Sequence, residues 1–181
     1  MPLDDETLAA QARADVNSFA ELYQRYVTHV YRYHIVHTGN VKDAEDLTSQ
    51  TFMAAMDGIA RYRRAGSFAA WLMGIARRQM AQFFRRRKVE VSLEQVSDLP
   101  AALPPIDLMV SRRISLQQAR EALKKLSTER AEAIVLCVFG GLSVADTART
   151  LGKSEAAVKM LISRGLQDLR ARSLLALEVE V

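Results

Sequence analysis

The chain of 181 residues has one cysteine, Cys137, so no disulfide can close within it. With no basic neighbour to activate it, Cys137 reads as a buried, inert thiol and not as a nucleophile. Only 8 glycines and 4 prolines are present, too few for a turn-rich sheet protein, and the chain reads as helical. The longest apolar run, Ala133 to Phe139, is far shorter than the roughly 20 residues that a bilayer-spanning helix needs. The N-terminus MPLDDETLAA lacks the basic-then-apolar order of a signal peptide. These absences predict a soluble, cytoplasmic protein with no membrane insertion. There is no glycine-rich phosphate loop, nucleophile elbow or metal-spaced cysteine set, so no catalytic centre, metal or cofactor is expected.

What the chain does have is an uneven charge. Its net value is only +4, yet between Gly58 and Val89 stand Arg61, Arg63, Arg64, Arg77, Arg78, Arg85, Arg86, Arg87 and Lys88 without one acidic residue. Such a block is an electrostatic footprint for phosphate. Tyr62, Phe68, Trp71, Phe83 and Phe84 are interleaved with it, and cations with rings are what a single-stranded nucleic acid needs. Some of these rings must be core: Trp71, Leu72 and Ile75 share one helical stripe. Directly afterwards the composition inverts. Residues 89–111 carry Glu90, Glu94, Asp98 and Asp107, no Lys or Arg, and Pro100, Pro104 and Pro105. Proline cannot continue a helix, so this stretch reads as a flexible acidic linker between an N-terminal domain, 1–88, and a C-terminal domain, 112–181.

Punctuation places the helices. One runs near Asn17 to His37, with Phe19, Leu22, Tyr23, Tyr26, Val30 and Tyr33 at spacings of three and four, and ends at Gly39. Asn40 starts a second, whose inward face is Ala44, Leu47, Phe52 and Met56 and whose outward face is Asp43, Glu45, Asp46 and Gln50. A basic loop, Gly58 to Gly66, precedes a third helix from Ser67 to about Arg87. In the C-terminal half, Ile114 to Leu126 is one helix, and Ser127 caps another that runs to Phe139 and is broken by Gly140 and Gly141.

Residues 142–164, LSVADTARTLGKSEAAVKMLISR, then read as a helix-turn-helix. Ala148, Gly152 and Val158 occupy the small, turn and buried apolar positions of that motif. Ser143 and Ser154 can cap its helices. Val158, Leu161, Ile162 and Leu166 would face the core, which leaves Glu155, Ala156, Lys159, Ser163 and Arg164 on the groove side. Lys153, in the turn, stands where an apolar residue is more usual.

With these motifs in this order, the chain resembles an extracytoplasmic-function sigma factor (ECF, group IV) of bacterial RNA polymerase, from about Ser18 to Leu174. FAELYQRYVTHVYRY, DAEDLTSQTF and SFAAWLMGIARRQMAQFFRRR match sigma region 2, and LKKLSTERAEAIVLCVFGGLSVADTARTLGKSEAAVKMLISRGLQDLR matches sigma region 4. The resemblance implies an all-α fold of two small helical domains. It implies that Asp43, Glu45, Asp46, Leu47, Gln50 and Phe52 dock on core RNA polymerase. It implies that Arg61, Tyr62, Arg63, Arg64, Ser67, Arg77, Arg78 and Arg85 meet the -10 element as single strand, with one base flipped into a pocket. Ser154, Glu155, Ala156, Lys159, Met160, Ser163 and Arg164 would contact the duplex -35 element, and an anti-sigma factor would act as inhibitor. No sensor domain is expected after Leu174. The chain departs from the family pattern at Arg78 and Gln82, at Ser49 and Gln50, and at Met160 and Leu161.

Two other readings stand beside this one. A dimeric helix-turn-helix regulator would account for residues 112–174 without a polymerase. A metal-dependent enzyme could use His29, His34 and His37 near Asp43, Glu45 and Asp46, although these histidines are better read as polar rim residues of an amphipathic helix.

Overall fold

The computed structural model describes the backbone of residues 3–63, 66–93 and 107–179 and the side chains of residues 3–63, 66–88 and 116–171. Every regular element among them is helical. Helix α2, Val16–Thr38, starts where the Asp15 carboxylate accepts from the amides of Asn17 and Ser18. It stops at Gly39, whose φ of 66° is the left-handed conformation that only glycine takes freely. The Asn40 side chain then accepts from the Asp43 amide and opens α3, Val41–Gly58. The stripes expected from the spacing are largely the buried ones: Phe19, Leu22, Val30 and Tyr33 on α2, and Ala44, Leu47 and Phe52 on α3. Tyr23 and Met56, expected inward, are instead exposed at the rims of those stripes.

A 3-10 turn, Ile59–Arg61, leads through a short loop into α4, Phe68–Leu93. Phe68, Leu72, Met73, Ile75, Ala76 and Met80 line its buried side. Helical backbone thus continues past the expected end at Arg87 and resumes at Asp107. Residues 94–106, with most of the predicted linker, lie outside the described residues.

The second unit comprises α5, Asp107–Lys124; α6, Thr128–Ile134; α7, Val144–Leu151; and α8, Glu155–Val179. The helix expected to run to Phe139 widens into a π-helical turn over Val135–Phe139, where the Gly140 N–H donates to the Val135 carbonyl at 2.9 Å. Helix α1, Asp5–Gln11, has no counterpart in the sequence reading. It is capped by Asp4 and buries Leu8 and Ala9 completely. The Arg25 guanidinium pairs with Asp5 at 2.6 Å, and the Tyr26 hydroxyl bonds the same carboxylate, so α1 is fastened to α2. Burial, with Asp5 beside it, pushes the Tyr26 hydroxyl above its ordinary pKa.

The two units pack on each other through one continuous core. Gly141 lies under the His29 ring, Gly140 lies against Met73, and α7 rests on α4. Polar contacts lock the seam. Arg120 of α5 donates to the carbonyls of Val36 and His37 at 3.0 and 3.2 Å, and Arg77 of α4 donates to the Thr150 carbonyl at 2.7 Å. Each unit therefore supplies a cation to the negative end of a helix in the other.

Candidate nucleic-acid interface

In the helix-turn-helix the Ser143 hydroxyl accepts from the Asp146 amide at 3.0 Å and starts α7. Gly152 and Lys153 close it, their N–H groups donating to the carbonyls of Arg149 and Ala148, the Schellman arrangement. Ser154 accepts from the Ala157 amide at 3.2 Å and starts α8. Lys153, unusual in this turn, is explained by its partner: its ammonium lies 2.6 Å from Glu129 on α6. Val158 is fully buried, while Glu155, Ala156, Lys159, Met160, Ser163 and Arg164 are all exposed along one side of α8. Leu166, expected in the core, is exposed, and Gly165 is buried in its place. A Cβ at Gly165 would come within 2.7 Å of Ile134 Cδ1, so the small residue lets α8 cross α6 closely. Among the described residues, neither Lys159 nor Arg164 has an ion-pair partner, so both charges are available to phosphate or a guanine edge.

The second site is the loop between the 3-10 turn and α4. Arg61 and Arg63 are exposed, whereas Tyr62 between them is only 3% exposed. Tyr62, expected at the -10 strand, is held within the protein and meets the loop cavity only as part of its wall. Its ring packs against Phe68 and Trp71, with centroids 5.9 and 5.1 Å away, and it anchors the loop. Arg64 lies outside the described residues. Ser67 caps α4 through the Ala70 amide at 3.1 Å. Arg61, Tyr62, Arg63, Gly66, Ser67, Ala70 and Trp71 line a cavity of ≈ 330 Å³ whose far wall is Arg149 and Thr150 of α7. An adjoining cavity of ≈ 420 Å³ is bordered by Arg61, Trp71, Arg78, Gln79 and Gln82. Arg78 and Arg85 are exposed along α4. Arg77 is not free: its Nε donates to Glu132 at 2.9 Å and its Nη1 to Thr150, so in this arrangement it serves the seam between the units.

Glu132 is the centre of that seam. Oε1 accepts from Arg77 Nε and from the Tyr33 hydroxyl at 3.0 Å, and Oε2 faces His37 Nε2 at 3.1 Å. Burial pushes the Glu132 carboxyl up, but the hydrogen bond and charge of His37 and the charge of Arg77 outweigh it and hold the carboxyl below its ordinary pKa. The Tyr33 phenol is driven well above its ordinary value by burial and by the facing carboxylate.

The third site is the outer face of α3. Glu45, Asp46 and Gln50 are exposed. Leu47 and Phe52, which the resemblance implies in polymerase docking, are buried at 2% and 5% exposure and hold the helix from beneath. Asp43 is turned toward Arg87 of α4, 3.5 Å away. The apolar surface on this face comes from Met53, 63% exposed and one turn beyond Gln50, which the sequence reading passed over. Its signal was an apolar residue one step past the buried stripe. The histidines do not converge. His34, expected at the rim, is fully buried with Nε2 3.0 Å from the Thr51 hydroxyl, while His37 turns to Glu132. Among the described residues no cluster of His, Cys, Asp or Glu could hold a metal. Cys137, expected buried, is half-buried with Sγ 3.0 Å from the Thr147 hydroxyl.

Residues 20–90 match the Sigma-70 region 2 family and residues 116–169 the Sigma-70 region 4 family. The chain is 35% identical to the ECF RNA polymerase sigma factor BldN of Streptomyces coelicolor over 90% of its own length and 63% of that protein's. It therefore spans less than two thirds of BldN. It is also 30% identical to the RNA polymerase sigma factor CnrH of Cupriavidus metallidurans, over 92% of this chain and 93% of CnrH. The chain belongs to the ECF sigma factors. The structure of CnrH in complex with the cytosolic domain of CnrY superposes on this sigma factor with a TM-score of 0.72, at 26% identity, covering 92% of this chain and 95% of that one. The sigma factor RpoE of Bartonella quintana, in complex with the anti-sigma factor NepR, gives a TM-score of 0.64 at 26% identity over 84% and 94% of the two chains. In this sigma factor the region 2 match holds the loop cavity and the outer face of α3, and the region 4 match holds the helix-turn-helix. Both matches leave α1 outside. Among the described residues no helix is long and apolar enough to cross a membrane.

Proposed function

We propose that this chain is a group IV sigma factor that binds core RNA polymerase in the cytoplasm and directs it to promoters with -10 and -35 elements, under the control of an anti-sigma factor. The observation that carries the reading is the coexistence of three outward surfaces of different chemistry: the unpaired cationic face of α8, the arginine-flanked cavity at the 61–67 loop, and the carboxylate and methionine face of α3. A regulator acting on duplex DNA alone uses only the first. Residues 1–88 form the polymerase-docking and -10 domain, 89–111 the linker, and 112–181 the -35 domain.

Glu45, Asp46, Gln50 and Met53 meet polymerase, with Asp43, Leu47 and Phe52 shaping the helix that presents them. An acidic row beside an exposed methionine suits a basic protein surface, which DNA is not. Arg61, Arg63, Arg64, Ser67, Arg78 and Arg85 face the -10 strand, and the loop cavity receives a base taken out of the stack. Ser154, Glu155, Ala156, Lys159, Met160, Ser163 and Arg164 enter the major groove at -35. The work is done by binding energy and not by catalysis.

Run-off transcription tests this reading: purified protein and core polymerase from the same bacterium, on DNA from upstream of its own gene. The expected result is a discrete transcript that requires both components. No transcript, with no co-elution of the chain with core polymerase, would return the reading to a polymerase-independent regulator.

A further inference from the structure

The segment ahead of α2 lies outside both family matches, yet it makes contacts at both ends of the 61–67 loop. Glu6 of α1 projects its carboxylate onto the start of α4, where Oε1 accepts from the Phe68 amide at 2.9 Å. That amide is the first of the helix and has no intrahelical acceptor, so a carboxylate 62 residues away in sequence serves as its cap. The other oxygen, Oε2, lies 2.7 Å from the Tyr62 hydroxyl, which is also 3.0 Å from the Gly66 carbonyl. One carboxylate thereby ties together the two ends of the loop. Arg13 adds a second tie, its Nη2 donating to the Tyr62 carbonyl at 2.5 Å. Glu6 is held in turn by the docking of α1, through buried Leu8 and the Asp5 contacts with Arg25 and Tyr26. The loop carries Arg61 and Arg63 outward on either side of buried Tyr62. Where those guanidiniums stand relative to the cavity is therefore set by how Tyr62 is held.

We propose that Glu6 and Arg13 are positioning residues for base capture: they touch no DNA, and they hold Tyr62 and the start of α4 where Arg61 and Arg63 can receive an unpaired base. The proposal rests on the reading of that loop as the -10 reader.

The test uses holoenzyme and a set of single-stranded oligonucleotides covering the non-template strand of the promoter mapped by run-off transcription, each with one abasic position. The wild type should bind all but one about equally and lose affinity at the captured position. Glu6→Ala should lose about tenfold in affinity for the intact strand, as expected when charge-assisted hydrogen bonds are removed. It should also lose the contrast between intact and abasic strands, which a mere loss of folded protein would leave unchanged. Glu6→Gln, which keeps an oxygen for the Phe68 amide, should recover part of the contrast. Arg13 is exposed, so Arg13→Ala tests the second tie without disturbing a buried helix. Full contrast in both alanine variants, with Arg61→Ala defective, would overturn the positioning role and leave the loop as reader. No contrast at any position in the wild type would overturn the loop reading and the positioning role with it.

Discussion

At His34 a single hydrogen bond decides the charge state. The Thr51 hydroxyl donates its one proton to the Leu47 carbonyl at 2.7 Å, so it can only accept from His34, which must carry its proton on Nε2. Nδ1 is buried with no partner, and a second proton there would be a desolvated charge. Burial, with His37 nearby, lowers the His34 pKa from 6.5 to about 3. A group whose folded pKa is depressed gives stability that is complete above its unfolded pKa and is lost as pH falls toward the folded one. Between pH 6.5 and 4.5 this one site should remove about 2–3 kcal/mol, at ~1.4 kcal/mol per pH unit. Denaturant titrations of wild type and His34→Gln across that range check it, since the difference between their slopes isolates His34 from the carboxylates. A second residue-scale prediction concerns Gly39. A Cβ there would meet the Arg120 guanidinium at 1.9 Å, and the φ of +66° is strained for any side chain. Gly39→Ala should cost at least the ~1–2 kcal/mol of a left-handed alanine, with more from displacing Arg120 off the end of α2. Thermal unfolding reads it.

At the scale of elements, the proposed function gives α3 and α8 separable duties. Asp46→Ala and Met53→Ala should each weaken core-polymerase binding severalfold and leave duplex -35 affinity unchanged, because both side chains project from α3. Arg164→Ala should weaken duplex binding about tenfold and leave polymerase affinity unchanged. Fluorescence anisotropy with labelled duplex, and pull-down on core polymerase, separate the two. Equal losses in both assays for both substitutions would remove the division of labour. These elements were legible because their signals are local: Asn40 and Ser143 cap, Gly39 and Gly152 stop, and Val158 marks the buried side of α8. Helix α1 was not legible, since seven residues hold too few apolar positions to show a period, and its burial comes from α2 and α4. The sequence points Tyr62 and Arg77 at DNA because a charge run with rings looks alike whether its members face solvent or a neighbouring helix. Only the packing of α1 and of α7 against the loop and α4 distinguishes them.

For the whole molecule, the packing of the two units sets a condition on function. Thr150 of α7 lines the loop cavity and bonds Arg77, and Ser154, at the start of the recognition helix, is four residues further on, at most ~14 Å of chain. The -35 and -10 elements are separated by about 25 base pairs, which is ~85 Å of duplex. On the proposed function, one molecule in this closed form cannot reach both, so promoter reading would require the units to part and the contacts of Glu132, Arg77 and Arg120 to break. These contacts were invisible in the sequence because each joins residues more than 50 positions apart. Glu132→Gln removes the charge that faces Arg77 and His37 while keeping the side chain's size. It should shift the free protein toward open forms, raising the radius of gyration by several Å above the ~16 Å expected of a compact chain of this length. Small-angle scattering of wild type, Glu132→Gln, Arg77→Ala and the double variant measures this, and the two single changes should not add if they break the same latch. Scattering curves identical to the wild type would mean that the apolar contacts of Gly140, Gly141 and α7 close the molecule unaided. In that case the strain of opening would fall on whatever binds α3 and α8.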